Sequence, residues 1–305
     1  LPDLRTPPPP KGEGEDWGLM MNFMDGRVFV RATAYHSMLT GDPTVRDAAF
    51  INAQRRIVDA ILDAGLITQA GADERSYGTY SGDFLSNLDT KGYELEIKAN
   101  PSRNLTLSFA YSYTKLLRSK LGDEWYPWFA DQKAFYAQYP STLMTSLGIP
   151  ISSEISQIET GIESVFAANR FGYNNRPNKA NVFGRYTFDG GPLKGVFVGG
   201  GARWQDRNNV QPELLGRDAL GKDVLGGMLR GPQIFDVDAL LGYSTRLKAK
   251  FFGNNVAFRV QLNVRNLFDN DDVQVIRFNR AGDGGYWRVV AREPRSFRLT
   301  TSFDF

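Results

Sequence analysis

Several residues have types and spacings that could do chemistry. Glu94 and Glu96 lie two positions apart. On an extended chain that puts both carboxyls on one face, about 6–7 Å apart. The spacing suits acid–base work, although any charged strand face produces it. Residues 216–223 read Gly-Arg-Asp-Ala-Leu-Gly-Lys-Asp. They approach a phosphate-binding loop, but Asp223 lacks the hydroxyl that would hold magnesium, so a plain loop is expected. Asp269, Asp271 and Asp272 could offer oxygen ligands to calcium, yet Val273 and Gln274 break the EF-hand spacing and an acidic turn is the simpler reading. His36, the single histidine, is expected at a strand end beside a long loop, as a ligand contact or an interfacial side chain. Trp125, Tyr126, Trp128, Phe129, Phe135, Tyr136 and Tyr139 crowd one segment. They could stack on a flat or sugar-like ligand, or pack the loop's own helical turns, or anchor at the lipid headgroups. The candidate ligand contacts are therefore Trp125, Tyr126, Trp128, Tyr136 and His36.

Composition removes most alternatives. Among 305 residues there is no Cys, which excludes disulfides, thiol catalysis and Cys-ligated metals. One His leaves no nucleophile–His–Asp arrangement to argue for, and no catalytic residue, resident metal or cofactor is expected. The net charge of +2 lacks the basic excess of a nucleic-acid binder. The longest run of apolar or Gly residues is 195–202, far short of the roughly 20 that a spanning helix needs. Aromatic residues make up 13% and Gly numbers 31, a composition that favours β structure.

The elements that would position these residues show in the alternation. Phe297, Leu299, Thr301, Phe303 and Phe305 interleave with Ser296, Arg298, Thr300, Ser302 and Asp304. Val256, Phe258, Val260, Leu262 and Val264 interleave with Ala257, Arg259, Gln261, Asn263 and Arg265. Segments 93–98, 105–114 and 235–244 follow the same period, and 17–23, 28–34, 182–188 and 196–204 follow it more weakly. About nine strands are expected, near ten residues each. At ~3.3 Å per residue and ~45° tilt, ten residues climb about 23 Å, close to the apolar band of a membrane β-barrel. Turn signals at 25–26, 101–103, 189–192 and 252–254 alternate with long insertions at 38–88, 116–178, 207–232 and 268–285. Short turns at one end and long loops at the other are the asymmetry of such barrels.

Helices are expected inside the long loops: 45–64 with Thr44 as cap and Phe50, Ile57, Val58, Ile61 and Leu62 as its stripe, then 154–168, and a weaker one at 128–139. A soluble α+β domain would also carry helices, but it leaves the strand length unexplained. Glu94, Glu96, Lys98, Arg259, Gln261, Asn263, Arg265 and Arg298 share the polar strand faces. Burying such charges unpaired costs several kcal/mol each, so a wet lumen or a solvated face is expected.

The C-terminal third resembles the end of a TonB-dependent outer-membrane receptor. The resemblance rests on Asn263-Val264-Arg265-Asn266-Leu267-Phe268-Asp269, on Arg292-Glu293-Pro294-Arg295-Ser296-Phe297, and on a last strand ending in Phe305. Gly199-Gly200-Gly201-Ala202-Arg203-Trp204 and 174–180 resemble further parts of that family. The likeness covers 85–305 well and 1–84 loosely. It implies an all-β fold, an antiparallel transmembrane β-barrel segment of about nine strands from a 22-stranded barrel with helix-containing extracellular loops. Residues 1–305 would be the C-terminal portion of the barrel, with the plug domain and N-terminal strands absent. The implied function is active uptake of a scarce nutrient, such as a siderophore–iron complex or glycan, across the outer membrane of a Gram-negative-type bacterium. Implied partners are the TonB–ExbB–ExbD complex (through the missing N-terminal part), the barrel assembly machinery, outer-membrane lipid and a small-molecule nutrient, with no nucleic acid. Glu94, Glu96, Arg259, Gln261, Arg265 and Arg298 would face the lumen, and Phe297, Phe303 and Phe305 would form the assembly signal. A passive porin and a secreted or adhesin β-domain remain alternatives.

Overall fold

The computed structural model describes residues 8–46, 49–75, 83–169, 175–217, 223–251, 254–279 and 284–304. The main body is one antiparallel sheet. Its strands are β1 (Lys11–Phe23), β2 (Val28–Arg46), β3 (Asp83–Ser102), β4 (Leu105–Ser119), β5 (Asn178–Thr187), β6 (Val196–Gln205), β9 (Ile234–Phe251), β10 (Asn254–Arg265) and β13 (Ser296–Asp304), paired in that order. All nine expected strands are present. Several are longer than expected, β2 with 19 residues and β3 with 20, because their pairing continues well past the apolar band.

Short connections occupy one end. Asp25 and Gly26 carry left-handed φ of 54° and 79°, and the Arg27 amide donates to the Met24 carbonyl at 3.1 Å. That is the mirror-image turn that matches strand twist and favours Asp-Gly. Long excursions occupy the other end. They hold α1 (Ala49–Asp63), α2 (Gln69–Arg75), α3 (Trp125–Tyr136), α4 (Ile151–Asn169) and two hairpins, β7 (Asn209–Arg217) with β8 (Asp223–Arg230) and β11 (Val273–Phe278) with β12 (Tyr286–Ala291).

The first helix starts later than the sequence predicts. Val45 pairs with Phe84 and Arg46 with Asp83, so β3 takes residues 45–46 into the sheet and Thr44 lies in β2 instead of capping a helix. The stripe holds where it is described: Ile57, Val58 and Ile61 are buried and Leu62 packs beside them, while the Phe50 side chain lies outside the described residues. The β7–β8 hairpin, α2 and β11 lie inside segments expected to be loops, and β12 follows directly after the last of them. Asp223 opens strand β8, so a strand follows the phosphate-loop-like sequence, and residues 218–222 lie outside the described residues.

Register fixes the two faces. One row of outward neighbours runs Trp17, Ala34, Tyr93, Tyr113, and another runs Phe109, Val182, Ala202, Val237. The terminal strands continue this face with Phe258 against Phe303, Leu262 against Leu299 and Val264 against Phe297. Leu299 is 68% exposed and Leu241 52%, an apolar surface with no protein cover among the described residues. Aromatic pairs flank the band: Tyr93 stacks on Tyr113 at 5.0 Å, Tyr186 meets Phe188 edge-on at 4.9 Å, and Phe258 meets Phe303 at 5.2 Å. Apolar bands between aromatic girdles are how strands meet lipid.

The densest packing is in the long loops. Ile57, Ile61, Phe84, Trp125, Ile151, Ile158 and Ile162 form one buried cluster joining the helices to the extended β3. Each such side chain contributes about 1.5–3 kcal/mol when fully buried. Inside the cluster, Arg56 grips the buried Glu154 through two bonds, Nε to Oε1 at 2.5 Å and Nη2 to Oε2 at 2.7 Å.

Candidate functional site: the grooved inner wall

The second sheet face carries the charges. Register places Thr33, Glu94, Ser112, Lys179 and Gln205 in one row, and Arg31, Glu96, Ala110, Asn181, Arg203 and Asp236 in the next. On the far side of the sheet, Arg259 pairs with Ser302, Gln261 with Thr300, Asn263 with Arg298 and Arg265 with Ser296. Glu94, Glu96, Arg259, Gln261, Arg265 and Arg298 thus occupy one face, opposite the apolar band.

Three grooves lie on this face, the first and third toward the long-loop end. One of 460 Å³ is bounded by Asp238, Asn263, Arg265, Ser296, Arg298 and Thr300. A second, of 400 Å³, runs past Glu96, Lys98, Asn181 and Arg203, and shares Phe183, Gly201 and Asp238 with the first. A third, of 410 Å³, reaches Arg203, Arg265 and Arg292 beneath the β11–β12 hairpin. Glycine opens their floor. A Cβ on Gly201 would stand 2.9 Å from the Val182 carbonyl oxygen and one on Gly199 2.6 Å from that of Gly184, too close for any side chain. The Gly-Gly-Gly run therefore allows tight strand approach and leaves space above it.

The charges divide the wall in two. At β3 Glu96 holds both Arg31 at 2.9 Å and Lys98 at 2.6 Å, and between β6 and β9 Asp238 holds Arg203 at 3.0 Å. Glu96 is thereby occupied as an ion-pair partner of both cations. Toward β10 and β13 no described carboxylate comes within ion-pair distance of Arg259, Arg265 or Arg298. Arg185 instead lies over the buried Phe197 ring at 4.1 Å, with Arg259 6.0 Å from the same ring.

The upper rim is stitched by the motif residues. Asn266 has φ 50°, and its amide Nδ2 donates to the carbonyls of Asn270 (2.9 Å) and Glu293 (3.1 Å). Its backbone N–H donates to Asp238 Oδ1 at 3.1 Å. Asp269 accepts from the Arg295 amide at 2.8 Å, and Arg292 pairs with Asp236. The Asn-Leu-Phe-Asp and Glu-Pro-Arg elements therefore clamp the start of the last strand to the end of the one before it. Asp269 and Asp272 face arginines here, and no trio of His, Asp or Glu converges among the described residues. At the rim, Arg176 is buried and donates to the carbonyls of Asp206 (2.5 Å) and Pro232 (2.8 Å), and burial pushes its guanidinium down. Burial acts to raise the Asp206 carboxyl, but the amides of Asn178 and Arg207 together with nearby Arg230 and Arg176 hold it below its ordinary value.

The candidate ligand contacts fall elsewhere. Trp125, Trp128 and Tyr136 are 2%, 9% and 1% exposed, and their rings pack into the helical cluster. Tyr126 is exposed on the same helix. His36 lies on the apolar face, one step beyond the Trp17–Tyr93–Tyr113 row, with Asp89 at 3.1 Å and Glu15 at 3.8 Å. It faces away from the grooves, a position its parity with Val28, Val30 and Ala32 already encodes. Phe297 and Phe303 are exposed on the apolar face, and Phe305 lies outside the described residues. The residues missed by sequence reasoning are Asp238, Ser296 and Thr300, whose grouping depends on which strands become neighbours.

No protein-family model matches the sequence, and no curated protein matches it significantly. Solved structures do. FpvA of Pseudomonas aeruginosa, bound to heterologous pyoverdines, aligns over 97% of this chain and 27% of its own at 15% identity, with a TM-score of 0.51. BauA, the ferric preacinetobactin receptor of Acinetobacter baumannii, aligns over 98% of this chain and 30% of its own at 12% identity and a TM-score of 0.51. The FrpB iron transporter of Neisseria meningitidis aligns over 95% and 30% at 12% identity and a TM-score of 0.50. The chain spans less than a third of the length of these structures. Its fold is that of the C-terminal barrel part of TonB-dependent outer-membrane receptors.

Proposed function

We propose that this chain forms part of the wall of an outer-membrane receptor that imports a scarce nutrient. One observation carries the reading: nine paired strands present a continuous apolar face between aromatic girdles on one side and a charged, grooved face on the other. A secreted β-domain has no use for an uncovered apolar face of that extent, since burial in lipid is what makes it stable. The two sheet edges, β1 and β13, need further strands in lipid, where unpaired backbone groups cost several kcal/mol each. Those strands come from a 22-stranded barrel in this reading. The similar receptors bind pyoverdine and preacinetobactin iron complexes, which favours a siderophore–iron cargo over a glycan. Energy enters through TonB–ExbB–ExbD, acting on a segment other than residues 1–305. The chain binds and conducts, and it performs no bond-breaking chemistry.

The test is an immunoblot of outer-membrane fractions from source cells, comparing boiled and unboiled samples. A heat-modifiable band two to three times the 34.1 kDa of this chain supports a complete receptor. A soluble band at 34.1 kDa refutes the barrel reading. Growth on single iron chelates, with and without the gene, then identifies the cargo.

A further inference from the structure

We infer that the groove between β9, β10 and β13 is a binding site for a small polycarboxylate or phosphate-bearing solute at the mouth of the inner wall. This rests on the barrel reading, which makes that face the lumen, and adds the charge class of what passes along it.

The lining is a set of donors. Arg265 and Arg298 extend from neighbouring strands onto the same 460 Å³ groove, with no described carboxylate within ion-pair distance of either. Asn263 stands beside Arg298 in register, and its Oδ1 already accepts from Gln261 Nε2 at 2.7 Å, which leaves its own amide hydrogens to donate. Ser296 and Thr300 add two hydroxyls.

The one carboxylate in the lining, Asp238, is engaged at both oxygens. Oδ2 faces Arg203 at 3.0 Å and Oδ1 accepts the Asn266 amide at 3.1 Å. It therefore makes no ion pair with Arg265 or Arg298, and its charge is offset by Arg203. Guanidiniums bind planar oxyanions through paired N–H groups, so two of them with three auxiliary donors form a receptor for two or three carboxylates. The groove volume falls within the range of small-molecule sites, roughly 300–1,000 Å³. Elsewhere on the wall Arg31 and Lys98 share Glu96 and Arg203 faces Asp238, while Arg185 and Arg259 lie by the Phe197 ring, so the groove adds two guanidiniums to a face already rich in cations.

The experiment uses the full-length protein that carries this segment, purified in detergent, with citrate as probe in calorimetric titrations at low ionic strength. Citrate is expected to bind the parent protein and to weaken with added salt, because the site is open and screened. Arg265→Gln with Arg298→Gln is expected to weaken citrate at least ~10-fold, as the loss of charge-assisted hydrogen bonds requires. Lys115→Gln, on the opposite face, is expected to change nothing. No citrate binding by the parent, or equal binding by the double variant, overturns the inference. So does a double variant that lowers the melting midpoint while the parent ignores citrate, since the guanidiniums then serve a carboxylate of another protein segment. If the double variant fails to assemble, Arg265→Gln and Arg298→Gln are titrated singly, and unchanged affinity in both is equally fatal. The heat-modifiable band reports the barrel independently, so failure of that reading is seen apart from failure of this one.

Discussion

Gly242→Ala adds one methyl group to a strand that has no room for it. Gly242 of β9 stands opposite Phe197 of β6, whose ring is fully buried against it. A Cβ there would overlap that ring and come within 2.7 Å of the Val260 carbonyl oxygen, a backbone atom that cannot withdraw without disturbing the β9–β10 pairing. The ring is also held from its own strand's neighbour, by the Arg185 guanidinium at 4.1 Å. Overpacking of this kind costs about 1–3 kcal/mol. Displacing the ring from Arg185 adds about 0.5–1 kcal/mol. The expected sum is about 2–4 kcal/mol, a factor of roughly 30 to 1,000 in the folding equilibrium. The assay is urea unfolding of the full-length protein in lipid vesicles, followed by heat-modifiable migration and Trp fluorescence. The double variant Gly242→Ala with Phe197→Leu should recover part of the loss, because Leu vacates the space of the ring while the close approach to the Val260 carbonyl remains. A Gly242→Ala midpoint equal to the parent's refutes the packing argument, and so does a double variant no better than the single one.

Three further outcomes follow from particular contacts. Glu154→Ala removes the partner of Arg56 from a buried site and should destabilise the helical cluster by about 3–5 kcal/mol, read as faster proteolysis of the α1–α4 region while the barrel stays heat-modifiable. Burial pushes the Glu124 carboxyl up, against the Leu85 amide that donates to it at 2.9 Å. Its folded value lies above the ordinary 4.5, so the native state holds the proton more tightly. Its contribution to stability is full below 4.5 and declines as pH rises through the raised value. Glu124→Gln keeps an acceptor for Leu85 and should flatten the pH dependence of proteolysis of this region; an unchanged slope counts against the assignment. Leu241→Arg or Leu299→Arg places charge on the apolar face and should cost up to about 2–4 kcal/mol near mid-membrane, whereas Thr300→Arg on the opposite face should insert normally. Equal insertion of all three would reverse the assignment of the two faces.

Much of the architecture is legible in the residue order, for a local reason. Side chains alternate along a strand whatever lies beside it, so 93–98, 256–265 and 296–304 declare themselves strands and sort their own residues onto two faces. The same parity separates His36 from the charged face. Helix boundaries are less legible because partners compete for the chain. Residues 45–46 suit a helix by pattern, yet pairing with Phe84 and Asp83 keeps them in the sheet. The extra hairpins escape notice because their registers slip at several points, between Gln211 and Gly216 and again between Val275 and Phe278, which blurs any period of two.

What the sequence alone determines is therefore the existence of the strands, the sign and polarity of each face, and the alternation of short and long connections. What only the tertiary structure decides is which side chains meet. Trp125, Trp128 and Tyr136 look like a ligand platform in one dimension, but α1, α4 and the extended β3 close over them. Arg203 and Asp238 lie 35 residues apart yet neutralise each other, while Arg265 and Arg298, a similar distance apart in sequence, share a groove without a described ion-pair partner. Charge pairing depends on distances of a few ångströms between strands, and those distances are set by register, which each strand shares with its neighbours and does not encode by itself.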